Sequence, residues 1–431
     1  MARPAPAQLE AATDLARFID ASPSPFHAVA EASRRLDAAG FERLLETDTW
    51  AEQARGRRYV VRDGSLVAWT VPPSASEGLP LRLVGAHTDS PNLRVKPRPD
   101  RSTAGARHLA VEPYGGVLLN SWLGRDLGLS GRVALRSGEL RLLRVDRPIL
   151  HLPQLAIHLD RSITTDGLKV DPQHHIAPIW GVGADALGFR DLVADEVGCD
   201  AGEIVAWDVM THDLAPSTLA GRDDDLLSAP RLDNLCSAWA AVESITAATD
   251  VVATSTWPVI ALFDHEEVGS ETHRGASSTW LEQLLRRIVA VRPGADHESF
   301  ARAMAASTCV SSDMAHATHP NYTDRHEPGH WIALDGGPVV KTNVNQRYAT
   351  DARSAGPFVA ACERAGVPVQ WYAHRADIPC GSTIGPVTAA RLGIPVVDVG
   401  APMLGMHSAR ELMGSADPAM LRDALAAYLA G

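Results

Sequence analysis

The 431-residue chain is 45% hydrophobic and 21% charged, carries a net charge of −12, and scatters five cysteines with no CxxC pair. That composition excludes a disordered chain, a collagen-like chain and a small disulfide scaffold, and an acidic balance without a dense Lys/Arg run excludes nucleic-acid binding and peripheral binding to anionic membranes. Apolar stretches such as 259–263 are far too short to span a bilayer, no signal-peptide core opens the chain, and unpaired cysteines suit a reducing compartment, so a cytoplasmic location is expected.

Apolar residues recur at helical spacing over 9–20 and 26–39. Residues 59–61 and 66–71 predict short paired strands, and 81–86 predicts a buried strand. From 97 to 228 the pattern changes to short β-like runs, among them 109–111, 116–119, 131–135, 139–145 and 203–209, punctuated by Gly, Pro and Asp. After Pro230, helical patterns (232–248, 277–291, 355–365, 383–392, 418–429) alternate with strand patterns (257–263, 307–312, 338–342, 368–373, 394–399). That alternation implies an α/β fold with a helix-covered, mostly parallel sheet. The expected organisation is a catalytic domain made of 1–96 and 229–431, interrupted by an inserted β-rich domain over 97–228.

Five short segments concentrate His, Asp and Glu: 85–90 with His87 and Asp89, 231–234 with Asp233, 263–270 with Glu266 and Glu267, 311–316 with Asp313, and 405–411 with His407. Four of them come soon after an expected buried strand. Ligands of open α/β sheets bind beyond the carboxyl ends of strands, so positions separated by 34 to 146 residues are expected to meet at one edge. Each segment alone is ordinary: a strand-end His, a helix-start Asp, a turn-forming Asp, a solvated Glu pair. Their convergence is what points to a metal site. Two imidazoles and three carboxylates suffice for two divalent cations when one carboxylate bridges, and each cation keeps a position for water. Such a pair activates water and polarises a carbonyl. Of the adjacent Glu266 and Glu267, one can ligate while the other stands off as general base. Asp89, two residues from His87, is placed to accept that ring's second N–H. Residues 326–330 (HEPGH) match the HExxH pattern, but Pro328 and Gly329 oppose the helix it needs, so a turn is expected. Cys380, near His374 in sequence, reads as a packed thiol rather than a nucleophile.

Eight strings stand out: 85–96 (GAHTDSPNLRVK), 230–235 (PRLDNL), 265–270 (HEEVGS), 312–322 (SDMAHATHPNY), 337–341 (GPVVK), 346–348 (QRY), 379–386 (PCGSTIGP) and 406–411 (MHSARE). With them the chain resembles, over nearly its whole length, the aspartyl aminopeptidase family of dinuclear zinc exopeptidases. The resemblance implies His87 and Asp313 at one zinc, Glu267 and His407 at the other, Asp233 bridging and Glu266 as general base. It implies two Zn2+ per chain, with Mn2+ or Co2+ as alternatives, and peptides with N-terminal Asp or Glu as substrates. It also implies that the inserted domain drives dimerisation and that dimers build a dodecamer, in which an insert histidine reaches a neighbour's active site. His158 is the choice for that residue and His151 its rival. Lys341 is one of only three lysines among 40 Lys and Arg residues, and a compact ammonium at a pocket base would pair with a substrate carboxylate. His316, His319 and Tyr348 match family pocket positions, whereas His265 departs from the residue expected before Glu266. Other readings are an aminopeptidase of broader or neutral specificity, a carboxypeptidase or deacylase using the same metals, and a non-catalytic shell.

Overall fold

Two apolar runs, Leu81–His87 and Trp257–Phe263, lie side by side as strands in the middle of a nine-stranded sheet, with nearly every residue buried. Runs apolar on both faces suit a parallel sheet covered by helices on each side. The structure is a computed structural model and describes residues 3–71, 80–183, 187–247, 256–292 and 294–431. Across the sheet the strands are Glu42–Arg43, Gly56–Arg62, Ser65–Val71, Trp257–Phe263, Leu81–His87, Thr308–Ser312, Val396–Gly400, Val339–Thr342 and Gln370–Ala373. The four central strands are parallel, while Ser65–Val71 and Val339–Thr342 run antiparallel to their inner neighbours.

Helices Pro6–Ala21, Pro25–Ala38, Leu232–Ala247, Ala352–Ala365 and Asp417–Ala430 contribute to one apolar layer, with Phe18, Trp239, Phe358 and Leu425 in its core. Helices Trp280–Val289, His297–Ala306 and Ile384–Leu392 contribute to the other, where Trp280, Leu284, Leu285 and Ile288 form the apolar stripe of an amphipathic helix. Ala248, the last residue of one expected helix, lies outside the described residues.

The middle of the chain closes into a barrel, in the order Ile204–Asp213, Asn92–Thr103, Ala106–Tyr114, Ile179–Val182, Leu140–His151 and Asp126–Leu135. Leu127, Leu129, Val133 and Leu135, all at alternate positions of one strand, help fill it. The first barrel strand starts at Asn92, five residues after His87, so the chain enters the barrel straight from the end of a central sheet strand. The expected strand at 116–119 is absent. Gly115, at φ +73°, turns the chain out of Ala106–Tyr114, and a 3-10 turn follows at Leu119–Trp122. A third, small sheet orders Thr218–Ala220, Leu226–Ala229, Glu411–Gly414, Pro402–Leu404 and Ala315–His316. The guanidinium of Arg132 joins the barrel to the main sheet, binding Asp208 at 2.9 Å and also Asp63. Among the described residues no helix is long and apolar enough to cross a membrane.

Trp239 is 1% exposed, and its indole N–H donates to Asp14 at 2.8 Å, tying helix Leu232–Ala247 to Pro6–Ala21. Trp239→Ala is expected to cost about 3–5 kcal/mol. In calorimetry that corresponds, for a chain of this length, to a fall in Tm of roughly 3–6 °C, and a shift below about 1 °C contradicts it.

Candidate metal centre

Parallel register sets Phe263 opposite His87 and Ser311 opposite Gly85. Three central strands therefore end together, and each hands a polar group to the same edge. His87 closes the first, Asp313 follows the second, and Asp264 leads from the third into the 3-10 turn Glu266–Val268. Asp233 opens helix Leu232–Ala247 with non-helical backbone (φ −84°, ψ 105°), just after Arg231 at φ +54°. His407, at φ +68°, sits in the turn between strands Pro402–Leu404 and Glu411–Gly414 of the small sheet.

The Asp233 carboxylate is shared between the two imidazoles. Its Oδ1 lies 3.4 Å from His87 Nε2 and its Oδ2 lies 3.4 Å from His407 Nε2. Asp313 Oδ1 at 3.7 Å and Glu266 Oε2 at 3.9 Å complete the surroundings of His87 Nε2. Glu267 Oε1 stands 3.5 Å from His407 Nε2. Three overlapping triads result, His87 with Asp233 and Asp313, Asp233 with Glu267 and His407, and His87 with Glu266 and Glu267, each with ligand atoms within 4.8 Å of one another.

Neighbouring groups fix this arrangement. The Asp233 N–H donates to Glu411 Oε2 at 3.1 Å, the Ser90 hydroxyl donates to the Asp233 carbonyl at 2.6 Å, and the Asn234 amide donates to the Ser312 carbonyl at 2.9 Å. Glu411 also accepts the His407 backbone N–H at 2.7 Å, so one buried carboxylate seats two candidate ligands. His87 Nδ1 donates to the backbone carbonyl of Asp89 at 2.9 Å, and His407 Nδ1 donates to the carbonyl of Gly116 at 3.0 Å. Both rings thereby turn Nε2 toward the carboxylates. The expected acceptor for His87, the Asp89 carboxylate, is 3.4 Å away and engaged elsewhere. It accepts the N–H groups of Glu266 and Glu267 at 3.1 Å each and the Tyr114 hydroxyl at 2.7 Å. His265 is engaged at both ring nitrogens: Arg274 donates to its Nε2 and Thr272 Oγ1 lies at its Nδ1, both at 3.0 Å. Burial, with help from Arg274, lowers its pKa to about 4 and keeps it neutral.

The electrostatics describe a site short of positive charge. Burial pushes Glu266 up to about 8; Asp313, Asp89 and Asp233 add to that rise, and His87 opposes it. Glu267 is raised too, by burial and then by Asp233. Burial works against protonated His407, yet Asp233 and Glu267 lift it to about 10. Asp233 Oδ1 and Glu267 Oε1 are buried without a hydrogen-bond partner. Native interiors rarely leave such atoms alone. Orphaned carboxylate oxygens beside imidazole Nε2 atoms fit a divalent cation, and the mixed N/O set suits zinc.

The cluster opens onto a cleft of about 530 Å³ that Lys341, His316, Arg347 and Tyr348 also line. Lys341 is 2% exposed; its ammonium donates to the carbonyls of Asp313 (2.8 Å) and Met314 (3.2 Å) and lies 5.0 Å from the Tyr348 ring centre. His158 and His151 are exposed residues of the barrel region and do not line this cleft. His319 packs on Tyr322, outside it. His374 pairs through Nδ1 with the Tyr372 hydroxyl at 2.6 Å, and Cys380 packs against the cluster of Tyr348 and Tyr372. Residues 326–330 form a turn, not a helix. Sequence reasoning missed Glu411, Tyr114, Gly116 and Arg347. Of these, Glu411 and Arg347 lie inside strings singled out above, 406–411 and 346–348, but nothing in those strings marked their roles.

Comparison with known proteins points the same way. The family model described as aminopeptidase I zinc metalloprotease (M18) matches residues 18–429. A Streptomyces avermitilis protein named "Probable M18 family aminopeptidase 2" is 53% identical over 422 residues, 97% of either chain. A chain from the cryo-EM structure of the Ape4 and Nbr1 complex superposes with a TM-score of 0.94 at 33% identity, covering 100% of this chain and 88% of that one. A chain of the S. cerevisiae mApe1 dodecamer gives 0.85 at 25% identity, over 97% and 96% of the two chains.

Zinc added to metal-stripped protein is expected to raise Tm, with a stabilisation of about 4 kcal/mol at a thousandfold excess over Kd, and a chelator is expected to reverse it. A Tm indifferent to zinc contradicts this.

Proposed function

The chain belongs to the M18, or aminopeptidase I, family of zinc metalloproteases, and we propose that it is a dinuclear zinc aminopeptidase releasing N-terminal Asp and Glu from peptides. The observation that carries this reading is the division of one buried carboxylate, Asp233, between His87 and His407 at equal distances of 3.4 Å. His87 and Asp313 would hold one zinc, Glu267 and His407 the other, with Asp233 between them. The two imidazoles favour zinc over Mn2+ or Co2+. When bound, the pair supplies polarisation of the scissile carbonyl and a lowered pKa for the attacking water.

The protein's own groups do the rest. Glu266, held by Asp89 at its backbone N–H, takes the proton of the attacking water and delivers it to the leaving amine. Its burial favours a carboxyl group that gains and loses a proton readily near neutrality. Lys341 has two of its three N–H donors on the carbonyls of Asp313 and Met314. The Asp313 carboxylate also stands 3.9 Å from the ammonium; in this reading the third N–H turns to a substrate carboxylate, and the Tyr348 ring limits where the ammonium can move. His316 lines the same cleft and contributes to binding.

Self-association through the inserted domain, 97–228, belongs to this reading. Around His158 stand Leu155, Ile157 and Leu159, which are 60%, 48% and 76% exposed. Beside them is a hollow of about 640 Å³ walled by Leu123, Ile163 and Leu168. Apolar side chains left in water at this density mark a contact surface. We infer that dimers formed there build a dodecamer and that His158 of one protomer reaches its neighbour's cleft. The five free cysteines suit a cytoplasmic location.

Peptides beginning with Asp, Glu and Leu, assayed after zinc loading, test the reading. Asp and Glu are expected to lead Leu, and Lys341→Met is expected to erase about 1.5–3 kcal/mol of that preference, the worth of a hydrogen bond to a charged group. Equal rates on all three remove the acidic specificity. Glu266→Gln is expected to keep its zinc and lose turnover by about 10²–10⁴-fold, and an active variant removes the base.

A further inference from the structure

Tyr114, Gly115 and Gly116 carry the chain off the barrel strand Ala106–Tyr114 and meet the metal cluster at three points. The Tyr114 hydroxyl donates to Asp89 Oδ2 at 2.7 Å. Gly115 lies against Glu267: a Cβ there would stand 3.0 Å from Glu267 Cβ and 3.3 Å from its carbonyl oxygen, in a left-handed backbone at φ +73°. The Gly116 carbonyl accepts His407 Nδ1–H at 3.0 Å. The phenol is itself held, because the Arg94 guanidinium on strand Asn92–Thr103 sits 4.0 Å from its ring centre.

We propose that this corner of the barrel is a positioning element of the metal centre, and that Tyr114 is a positioning residue acting through Asp89 on the turn that carries Glu266 and Glu267. The proposal rests on reading the cluster as the zinc centre. Asp89 is fully buried and its carboxylate has three donors: Glu266 N–H on Oδ1, and Glu267 N–H and Tyr114 O–H on Oδ2. Hydrogen bonds to a charged acceptor are short and strong, and three of them from different directions fix the plane of the carboxylate. Remove the phenol hydroxyl, and Oδ2 keeps one donor. The carboxylate is then held by one backbone N–H on each oxygen and is less firmly oriented, with His87 Nδ1 only 3.4 Å from Oδ1 to draw it away from the turn. Loss of the outer partners of metal ligands weakens binding or activity by about 10–100-fold. The barrel thus supplies two of the groups that aim the centre, Tyr114 at the Glu267 side and Gly116 at His407.

Chelator competition on metal-stripped wild type, Tyr114→Phe, Asp89→Asn and the double variant tests this. Phenylalanine keeps the ring under Arg94 and deletes only the O–H. Tyr114→Phe is expected to weaken zinc binding about tenfold with an unchanged circular dichroism spectrum. The double variant is expected to bind no more weakly than Asp89→Asn alone, because Tyr114 acts through Asp89. Tyr114→Phe within about twofold of wild type, or losses that multiply in the double variant, overturn the proposal. So does a Tyr114→Phe chain that has lost its fold, since the hydroxyl then serves the fold rather than the site. A wild type that holds no zinc overturns the metal reading as well; normal zinc binding in both wild type and Tyr114→Phe overturns this proposal alone.

Discussion

A buried crowd of carboxylates is the constraint around which this molecule is arranged. Asp89, Asp233, Glu266, Glu267 and Asp313 converge with two histidines at one edge of the sheet. Placing several carboxylates together out of water is costly unless positive charge compensates them. Protons do so in part, as the raised pKa values of Glu266 and His407 show. Two orphaned oxygens, on Asp233 and Glu267, show that protons do not complete the task. Left-handed backbone at Arg231, His265 and His407, all non-glycine, clusters at this same place. Each costs on the order of 1–3 kcal/mol and persists where the surroundings fix it.

Three parts of the fold meet there. The parallel sheet delivers His87, the Glu266–Val268 turn and Asp313 from strands that end in register. The small sheet delivers His407 and, through Glu411, seats Asp233. The barrel supplies the Tyr114 hydroxyl and the Gly116 carbonyl. No single part holds the cluster alone: candidate ligands spread from residue 87 to residue 407 come within a few ångströms of one another because all three parts meet there.

Much of this was legible in the sequence, for identifiable reasons. The central strands are apolar on both faces, so Leu81–His87 and Trp257–Phe263 read as buried strands, and His87 and Asp313 could be placed at strand ends. Lys341 stood out because the chain otherwise uses arginine. What escaped notice works through the backbone or across long separations. Glu411 binds two backbone N–H groups, and Gly116 acts through its carbonyl; neither role leaves a residue-type pattern. The strands of the small sheet run two to four residues, too short for a periodic signal. Helices Phe189–Val197 and His297–Ala306 are short and carry only cap signals, Asp191 with Gly198 and Asp296, that went unread.

Zinc-edge anomalous diffraction from crystals of the zinc-loaded protein tests the bridging role proposed for Asp233 most directly. Two peaks roughly 3.5–4 Å apart are expected on either side of its carboxylate, one beside His87 and Asp313 and the other beside Glu267 and His407. A single peak, or zinc bound away from Asp233, would contradict it.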